Sequence, residues 1–397
     1  MARFAFVLGT LSAAGPLAID MYLPALPNIA HDLHATQGQV ETSIMTYFVG
    51  LMAGQPFYGP LSDRFGRKLP LVGGMLLYVL ASIGCSLASG PEILIAARAV
   101  QGLGAGASIA ISAAIIRDMY TGHQAARLLA LRMLVMGASP IIAPLMGATV
   151  IAAVSWRYVF WFGAAFGLFG CCLLFLIPET RHAHHRANTR LSGVFGVYRR
   201  LIGDTAFMGA VGSVAFMQLA FAAYIAGSSF LFIKINHTPP GLYGLIFATN
   251  AIGFISCAQL APNLMRRFRP ERLIVVASLV QTATALFMLG AAVTGHATVP
   301  VLIGPLFLFL GCYGLVGGPA VVLALRDHGA IAGTAASLLS FLQWGSAAAG
   351  SGLVALLADG TARPMTTVMA GGALVALLVV YRAFGKPRIE PASASAS

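Results

Sequence analysis

Long apolar runs separated by short polar loops make up most of the chain. Twelve such runs can be drawn, at residues 4–29, 40–61, 69–89, 92–117, 124–153, 157–178, 205–233, 241–264, 273–294, 299–324, 330–357 and 365–383. A helix rises about 1.5 Å per residue, so roughly 20 apolar residues cross the hydrocarbon core of a bilayer. The pattern therefore predicts an all-α polytopic membrane protein with 12 transmembrane helices in the lipid bilayer.

The longest polar stretch divides these runs into two sets of six. We expect an N-terminal six-helix bundle at 1–178, a cytoplasmic linker loop at 179–204, a C-terminal six-helix bundle at 205–385 and a disordered cytoplasmic tail at 386–397. A basic turn follows the second run of each half, at residues 59–67 and 261–269. A similar turn at the same point of each half is typical of a transporter built from a duplicated unit.

Composition and charge agree with a membrane protein. The chain is 58% hydrophobic and 9% charged, whereas a soluble protein has about 25% charged residues. The net charge of +12 does not indicate a nucleic-acid partner, because the basic residues lie in short loops and not on one face of a soluble domain. With the N-terminus in the cytoplasm, most basic residues lie in cytoplasmic loops, as the positive-inside rule requires. We therefore expect both termini in the cytoplasm.

The cysteines and histidines do not indicate a metal site. All five cysteines lie inside apolar runs, without the paired spacing of a zinc site or a disulfide framework. His182, His184 and His185 are close in sequence but lie in an arginine-rich loop without carboxylates, which favours a solvated loop over a metal site. We expect no metal and no cofactor, and no nucleotide-binding loop is present in the sequence.

Asp20 is the most unusual residue of the sequence. It is the only charge between Phe4 and Ile29 and lies past the middle of that run. A carboxylate at this depth must face a wet cavity, form an ion pair or take up a proton. We interpret Asp20 as a proton-binding site, and Glu41, near the start of the second run, is a candidate for a second one. Arg98, near one end of the fourth run, either lines a cavity as a fixed positive charge or snorkels to the interface.

Polar groups inside the runs are candidates for a substrate cavity. They are Tyr22, Tyr47, Gln55, Gln218, Tyr224, Asn250, Tyr313 and Gln343. A pocket for varied drugs needs apolar walls with a few adaptable polar groups. Each of these side chains is equally consistent with an ordinary hydrogen bond between helices.

Two further segments are candidates for conformational gating. Pro140, Pro144 and Gly147 would bend the fifth run, which either serves gating or only allows close packing. The tight turn at residues 59–68 combines Gly59, Asp63, Arg64, Gly66 and Arg67. Taken alone, this turn is equally consistent with an ordinary positive-inside loop.

Three motifs resemble those of the major facilitator superfamily. Gly59-x-Leu61-x-Asp63-Arg64-x-Gly66-Arg67-Lys68 resembles its inner-loop signature, and the segment from Arg98 to Gly106 resembles its fourth-span motif. The segment from Asp20 to Pro27 resembles the first span of its drug:proton antiporters, specifically the Bcr/CflA branch. The second basic turn departs from the pattern at Arg269, where a glycine is usual. We therefore leave open whether Arg266–Arg269 gates.

The resemblance implies two six-helix bundles around a cavity that opens alternately to either side of a bacterial inner membrane. It implies proton coupling through Asp20 and Arg98, a latch between Arg67 and Asp118, and a bend in the fifth span that limits leakage. It also implies export of small drugs, such as bicyclomycin- or chloramphenicol-like compounds, in exchange for protons. A proton-coupled importer or exporter of a metabolite on the same fold remains the alternative. An enzyme is disfavoured because the acids are scattered, and nothing in the sequence requires more than a monomer.

Overall fold

The computed structural model describes residues 2–120, 122–180, 192–328 and 331–384. These residues form helices joined by short connections. In chain order the α-helices are α1 (Ala2–Asp20), α2 (Leu26–Asp32), α3 (Gln37–Phe65), α4 (Lys68–Ser86), α5 (Pro91–Met119), α6 (Gly122–Ala153), α7 (Arg157–Leu173), α8 (Ser192–Gly203), α9 (Thr205–Ser229), α10 (Pro240–Met265), α11 (Pro270–Val293), α12 (Val299–Leu325), α13 (Ala332–Leu357) and α14 (Arg363–Phe384).

Each of the predicted apolar runs corresponds to a long helical segment. Within the described residues, ten segments are long and apolar enough to cross a membrane. The other two long helices are α3 and α13, with 29 and 26 residues. These two helices pack against each other, and their polar and small residues lower their mean hydropathy.

The first run is interrupted directly after Asp20. Helix α1 ends at Asp20, a 3₁₀ turn covers Leu23–Ala25, and α2 begins at Leu26. Pro24 and Pro27 lie at the starts of these two elements. Proline lacks an N–H donor, so regular helical bonding is lost at this point and the chain can change direction. Asp20 therefore lies at a helix end inside the protein.

The two halves meet along two helix pairs. Helix α3 packs on α13, and α6 packs on α10, whereas most other helix contacts stay within one half. We call the contact between α3 and α13 the seam. We call the end of the molecule that carries residues 59–68 the basic end, and the end that carries residues 23–36 the distal end.

The predicted linker contains a helix that the sequence analysis missed. Residues 192–203, expected to be loop, form α8, whose Leu201 is fully buried. Tyr198 on α8 donates a hydrogen bond to Ser337 at the start of α13 (3.4 Å). The apolar side chains at 197, 198 and 201 share one helical face, and this face packs on the second half. The histidine cluster at 182–185 and the tail at 386–397 lie outside the described residues.

Candidate functional site

A small cavity lies between the two halves, and Asp20 is part of its wall. The cavity has a volume of about 50 Å³ and is lined by Asp20, Pro140, Phe221, Tyr224, Phe247, Asn250, Ala251, Phe254 and Leu310. Pockets for drug-sized ligands have volumes of about 300–1,000 Å³. The structure is therefore closed around this cavity, and a drug-sized molecule would require the halves to separate.

Asp20 has no polar partner in this cavity. Its side chain is only 5% exposed, and it forms no hydrogen bond or ion pair with any residue that the structure describes. A carboxylate removed from water without a partner is costly, whereas a neutral carboxylic acid is tolerated. The surroundings of Asp20 therefore differ strongly between this closed form and any form open to water.

Two of the predicted polar groups face the same cavity from the second half. The Asn250 side-chain amide donates to the Tyr224 hydroxyl (3.2 Å), and the Tyr224 ring stacks on Phe247 with centroids 5.7 Å apart. The Oδ1 atom of Asn250 is buried and has no partner among the described residues. The cavity thus offers an acceptor on Asn250 opposite the carboxyl group of Asp20.

Tyr313 and Gln218 lie behind the aromatic wall of the cavity. The Tyr313 hydroxyl donates to Oε1 of Gln218. The Tyr313 ring stacks on Phe221 and Phe254, at centroid distances of 4.9 and 5.6 Å. These two predicted residues therefore support the wall and bond to each other.

Arg98 lies neither at the membrane interface nor in the lining of the cavity, the two positions expected from the sequence. It is fully buried, so it does not snorkel to the interface. Its guanidinium lies between the rings of Tyr22 and Tyr47, 4.5 and 4.3 Å from their centroids. Its Nη1 atom donates to the Ala18 carbonyl (3.1 Å) and to Gln101 (2.6 Å). Arg98 therefore lies inside the first half and contacts the backbone two residues before Asp20.

Tyr22 and Tyr47, expected in the substrate cavity, are not part of the lining of the small cavity in this closed form. Both rings are fully buried against Arg98. The Tyr22 hydroxyl pairs with Ser43 (2.7 Å), and the Tyr47 hydroxyl donates to the Gly15 carbonyl (3.0 Å). A buried cation attracts aromatic faces strongly when water is excluded, so these tyrosines stabilise Arg98. Gln55 and Gln343 are also absent from the cavity lining.

The three predicted residues of α6 have different positions along one continuous helix. Pro140 lines the cavity, and Pro144 lies at the contact with Gly244 of α10. Gly147 packs against the segment after Asp20 where the first helix is interrupted. A Cβ atom added to Gly147 would overlap the carbonyl oxygen of Met21. These positions place α6 directly against the segment that carries Asp20.

Arg67 is the centre of the turn at the basic end. It is 5% exposed, and its Nε and Nη2 atoms donate to Asp118 at 2.7 and 3.2 Å. Its Nη1 atom donates to Ser62 (2.6 Å) and lies 2.9 Å from Asp63. The structure thus brings together the predicted latch residues Arg67, at the start of α4, and Asp118, at the end of α5.

The other residues of this turn have simpler roles. Gly66 ends α3 with φ of +90°, a conformation that favours glycine. Arg64 is exposed, with its guanidinium 5.4 Å from the Phe65 ring centroid. An added Cβ atom on Gly59 would meet nothing within 4 Å, so close packing does not require glycine there.

Comparison with known proteins decides the family. Residues 8–351 match the sequence profile described as Major Facilitator Superfamily. The chain belongs to the Major Facilitator Superfamily. It is therefore a multi-pass membrane transporter and not an enzyme, and the predicted fold is confirmed.

Named relatives of this superfamily cover nearly the whole chain. The "Uncharacterized MFS-type transporter YdgK" of Bacillus subtilis is 30% identical, covering 95% of this chain and 94% of the relative. The "Bicyclomycin resistance protein homolog" of Haemophilus influenzae is 27% identical, covering 95% of each. The "Multidrug resistance protein MdtL" of an Escherichia coli strain is 28% identical, covering 98% and 97%. These names agree with the resemblance to the drug:proton antiporter branch.

Solved structures show the same superfamily fold. A D-xylose-proton symporter superposes with a TM-score of 0.75 at 15% identity, covering 96% of this chain and 99% of that chain. The human organic anion transporter MFSD10 superposes with a TM-score of 0.70 at 18% identity, with the same coverage of both chains. At these identities the likeness concerns the fold alone.

The structure adds a partner of the superfamily turn that the sequence analysis missed. The Glu179 carboxylate accepts hydrogen bonds from the backbone N–H groups of Arg67 (2.9 Å) and Lys68 (3.0 Å). These donors lie at the start of α4, where free N–H groups and the helix dipole attract a negative charge. Glu179 lies at the start of the predicted linker, and its signal in the sequence is an acid directly after an apolar run.

Arg132 is a second residue that the sequence analysis missed. It lies inside the fifth run, is 6% exposed, and donates to Ser12 (2.7 Å) and to the Ile109 carbonyl (3.0 Å). These bonds join α6 to α1 and α5. An isolated base within an apolar run is the signal that could have identified it.

The second basic turn differs from the first in its charges. The residues Arg266–Arg269 are exposed, and no ion pair of these arginines occurs within the described part of the chain. Instead, Glu271 at the start of α11 lies 3.5 Å from Arg326 at the end of α12. This contact joins the start of α11 to the end of α12, as the contact between Arg67 and Asp118 joins the start of α4 to the end of α5, but the acid and the base are exchanged.

Proposed function

We propose that this transporter exports small, mostly apolar drugs from a bacterial cytoplasm in exchange for protons, by alternating access. The observation that carries the proposal is Asp20, a carboxyl group without a partner in an aromatic cavity between the halves. The relatives named for bicyclomycin resistance and multidrug resistance support drug export as the direction of transport.

Asp20 couples the proton to the movement of the halves. An ionised Asp20 requires water, so the charged state favours a form open to one side. A neutral Asp20 is compatible with the closed cavity seen here. The proton enters from outside, neutral Asp20 allows the halves to close and reopen inward, and substrate entry from the cytoplasm accompanies proton release. At a membrane potential of 100 mV, each proton contributes about 2.3 kcal/mol to this cycle.

The cavity lining favours substrates of a particular chemistry. Its aromatic wall at Phe221, Phe247 and Phe254 suits a flat or branched apolar molecule. The unpaired Oδ1 atom of Asn250 suits a hydrogen-bond donor on that molecule. The preferred substrate is therefore neutral or weakly polar with few hydrogen-bonding groups.

The basic end faces the cytoplasm in this proposal. Arg64, Arg67 and Lys68 lie at that end, together with Arg117 and Arg326. A clustering of bases in short loops is the signal that sets orientation in the inner membrane. Both termini are then cytoplasmic, each half of six helices moves as one domain, and the protein works as a monomer.

An efflux assay with Asp20→Asn tests the proposal. Cells producing the wild type or the variant are loaded with chloramphenicol, bicyclomycin or a sulfonamide and followed with and without an uncoupler. We expect the wild type to lower the internal drug concentration only in energised cells, and Asp20→Asn to bind drug without concentrating it. Asp327→Asn, at a side chain that is 69% exposed, is the matched control and keeps export.

Two results would overturn the proposal. Normal energy-dependent export by Asp20→Asn would show that this carboxyl group does not couple the proton. Net uptake of a metabolite, with no export of any drug in the panel, would favour the alternative transporter on the same fold.

A further inference from the structure

A second buried carboxyl group lies away from the central cavity. Glu41 has no exposed surface. Its Oε1 atom accepts a hydrogen bond from the side chain of Gln37, one turn earlier on α3 (2.8 Å). Its Oε2 atom has no partner among the described residues. One oxygen of this acid is therefore withdrawn from water without compensation.

Glu41 lies on the face of α3 that forms the seam. An added Cβ atom on Gly38 would overlap the Ala355 carbonyl of α13, and Met45 contacts Gly352. Glu41 follows Gly38 by three positions and precedes Met45 by four, and residues with this spacing share one helical face. The acid therefore lies in the seam, toward its distal end.

The seam continues inward through an aromatic contact. Phe48 stacks on Trp344 with centroids 5.9 Å apart, and Met52 contacts Gly345. Because α3 and α13 belong to different halves, the distal part of the seam must separate when the transporter opens outward. That separation brings water to Glu41.

The partner helix offers no charge to Glu41. Helix α13 contains no charged or titratable side chain. Helix α5 contacts the other side of α3, where Thr46 donates to the Ile95 carbonyl (2.9 Å). Helix α4 meets α3 near Tyr58, toward the basic end, and α9 has no charged side chain but carries the buried Tyr224. The charged and titratable groups near the distal end of these elements and of the segments beside them are His31, Asp32, His34, Cys85, Glu92, Arg98, Lys234, His237, Asp359 and Arg363, together with Tyr22 and Tyr47.

None of these groups pairs with Glu41 within the described residues. Asp32 accepts from Trp156 (2.9 Å) and lies beside His31. Arg98 lies between Tyr22 and Tyr47. Asp359 accepts from Thr361 at an exposed loop. An ionised Glu41 in the closed seam would therefore lack a counter-ion.

We propose that Glu41 is a second proton-binding site, and that its protonated form stabilises the closed distal seam. We call this stabilisation the lock. A proton from the external solution binds one carboxylate oxygen as the seam closes, and it returns to the same solution as the seam opens. No proton crosses the membrane at Glu41, so the number of protons exchanged for each drug molecule remains the number that Asp20 carries. This inference rests on the alternating access of the proposed function, but its test does not require drug transport.

A cysteine reporter in the seam tests this proposal. Met45→Cys is combined with the wild-type Glu41 or with Glu41→Gln, which keeps an acceptor for Gln37 and removes the ionisable group. Labelling by a membrane-impermeant maleimide added outside is measured from external pH 5.5 to 8.5. The native cysteines are corrected for with the parent protein that lacks the Met45→Cys change. Because thiol reactivity itself depends on pH, the result is the ratio of the two labelling rates at each pH.

One titrating group changes an opening equilibrium by up to about tenfold per pH unit. We therefore expect labelling with Glu41 to rise several-fold more between the lowest and highest pH than labelling with Glu41→Gln. A Glu41→Asp variant, which still titrates, should retain the dependence on pH. Identical pH profiles for Glu41 and Glu41→Gln would overturn the proposal.

A third background separates this proposal from the function of Asp20. Adding Asp20→Asn removes the proposed coupling site but leaves the seam acid in place. We expect the difference between Glu41 and Glu41→Gln to persist in that background. Loss of the difference there would assign the pH response to Asp20 and overturn the lock, whereas failure of drug export alone would overturn only the proposed function.

Discussion

The guanidinium of Arg98 lies 4.5 Å from the ring centroid of Tyr22, two residues beyond Asp20 in the chain. The Tyr47 ring centroid is 4.3 Å from the same guanidinium. Arg98 also donates to the Ala18 carbonyl. Arg98 therefore contacts residues on both sides of Asp20. Within the described part of the chain, Arg98 forms no ion pair with Asp20.

Arg98→Lys should impair both stability and export. Lysine lacks the planar group that stacks between two rings, and cation–π contacts excluded from water contribute about 2 kcal/mol. We expect a lower thermal stability in detergent and a loss of export of tenfold or more, measured with the efflux assay. Arg363→Lys, at an exposed position, is the control and should change neither. Normal export by Arg98→Lys would show that the placement of Asp20 does not depend on Arg98.

Gly147→Ala should disturb the segment that follows Asp20. Its added methyl group would overlap the Met21 carbonyl, and overpacking of this kind costs about 1–3 kcal/mol. Gly59→Ala provides a matched control, because its added methyl group meets nothing within 4 Å. Thermal stability and efflux should fall for Gly147→Ala only. Equal behaviour of the two variants would contradict the close approach of α6 to Met21.

Asp118→Asn should weaken the turn at the basic end. Arg67 is 6% exposed in its side chain and Asp118 is 18% exposed, so water replaces the lost charge poorly. Bonds to charged groups contribute about 1.5–3 kcal/mol, and we expect a destabilisation in that range. Asp327→Asn should cost less than about 0.5 kcal/mol, since exposed pairs contribute little. A double-mutant cycle with Arg67→Gln measures the coupling, and a coupling near zero would rule out the latch.

The stabilisation that Asp204 gives to the N-terminus of α9 should be lost at acidic pH. Backbone hydrogen bonds from Phe207 and Ala206, together with the His328 side chain, lower the pKa of Asp204 below its ordinary value of 3.8. A lowered pKa means that the stabilisation is present above about pH 4 and is lost as the pH falls further. Asp204→Asn keeps a capping acceptor but removes the charge. We expect its thermal stability to fall less steeply below pH 4 than that of the wild type, and parallel acid limbs would contradict this.

The sequence by itself determined the spanning segments and the most unusual acid. Hydrocarbon tolerates few polar groups, so the apolar runs mark the helices and make Asp20 conspicuous. The same reasoning selected Tyr224 and Asn250, whereas Pro140 was selected because proline bends a helix. The structure brings all three to the cavity of Asp20. Gly66 was also accessible from sequence, because the positive φ that ends α3 is a local feature of the backbone.

Only the tertiary structure decided which way each helix faces. Lipid-facing and interior sides of a membrane helix are both apolar, so the hydrophobic pattern does not indicate its rotation within a bundle. In this closed form, Tyr22 and Tyr47 contact Arg98 and lie outside the lining of the small cavity. The contact of Glu179 with the start of α4 and the burial of Glu41 in the seam likewise depend on how the helices are rotated and packed. Such contacts join residues far apart in the chain, and their geometry exists only once the helices have packed.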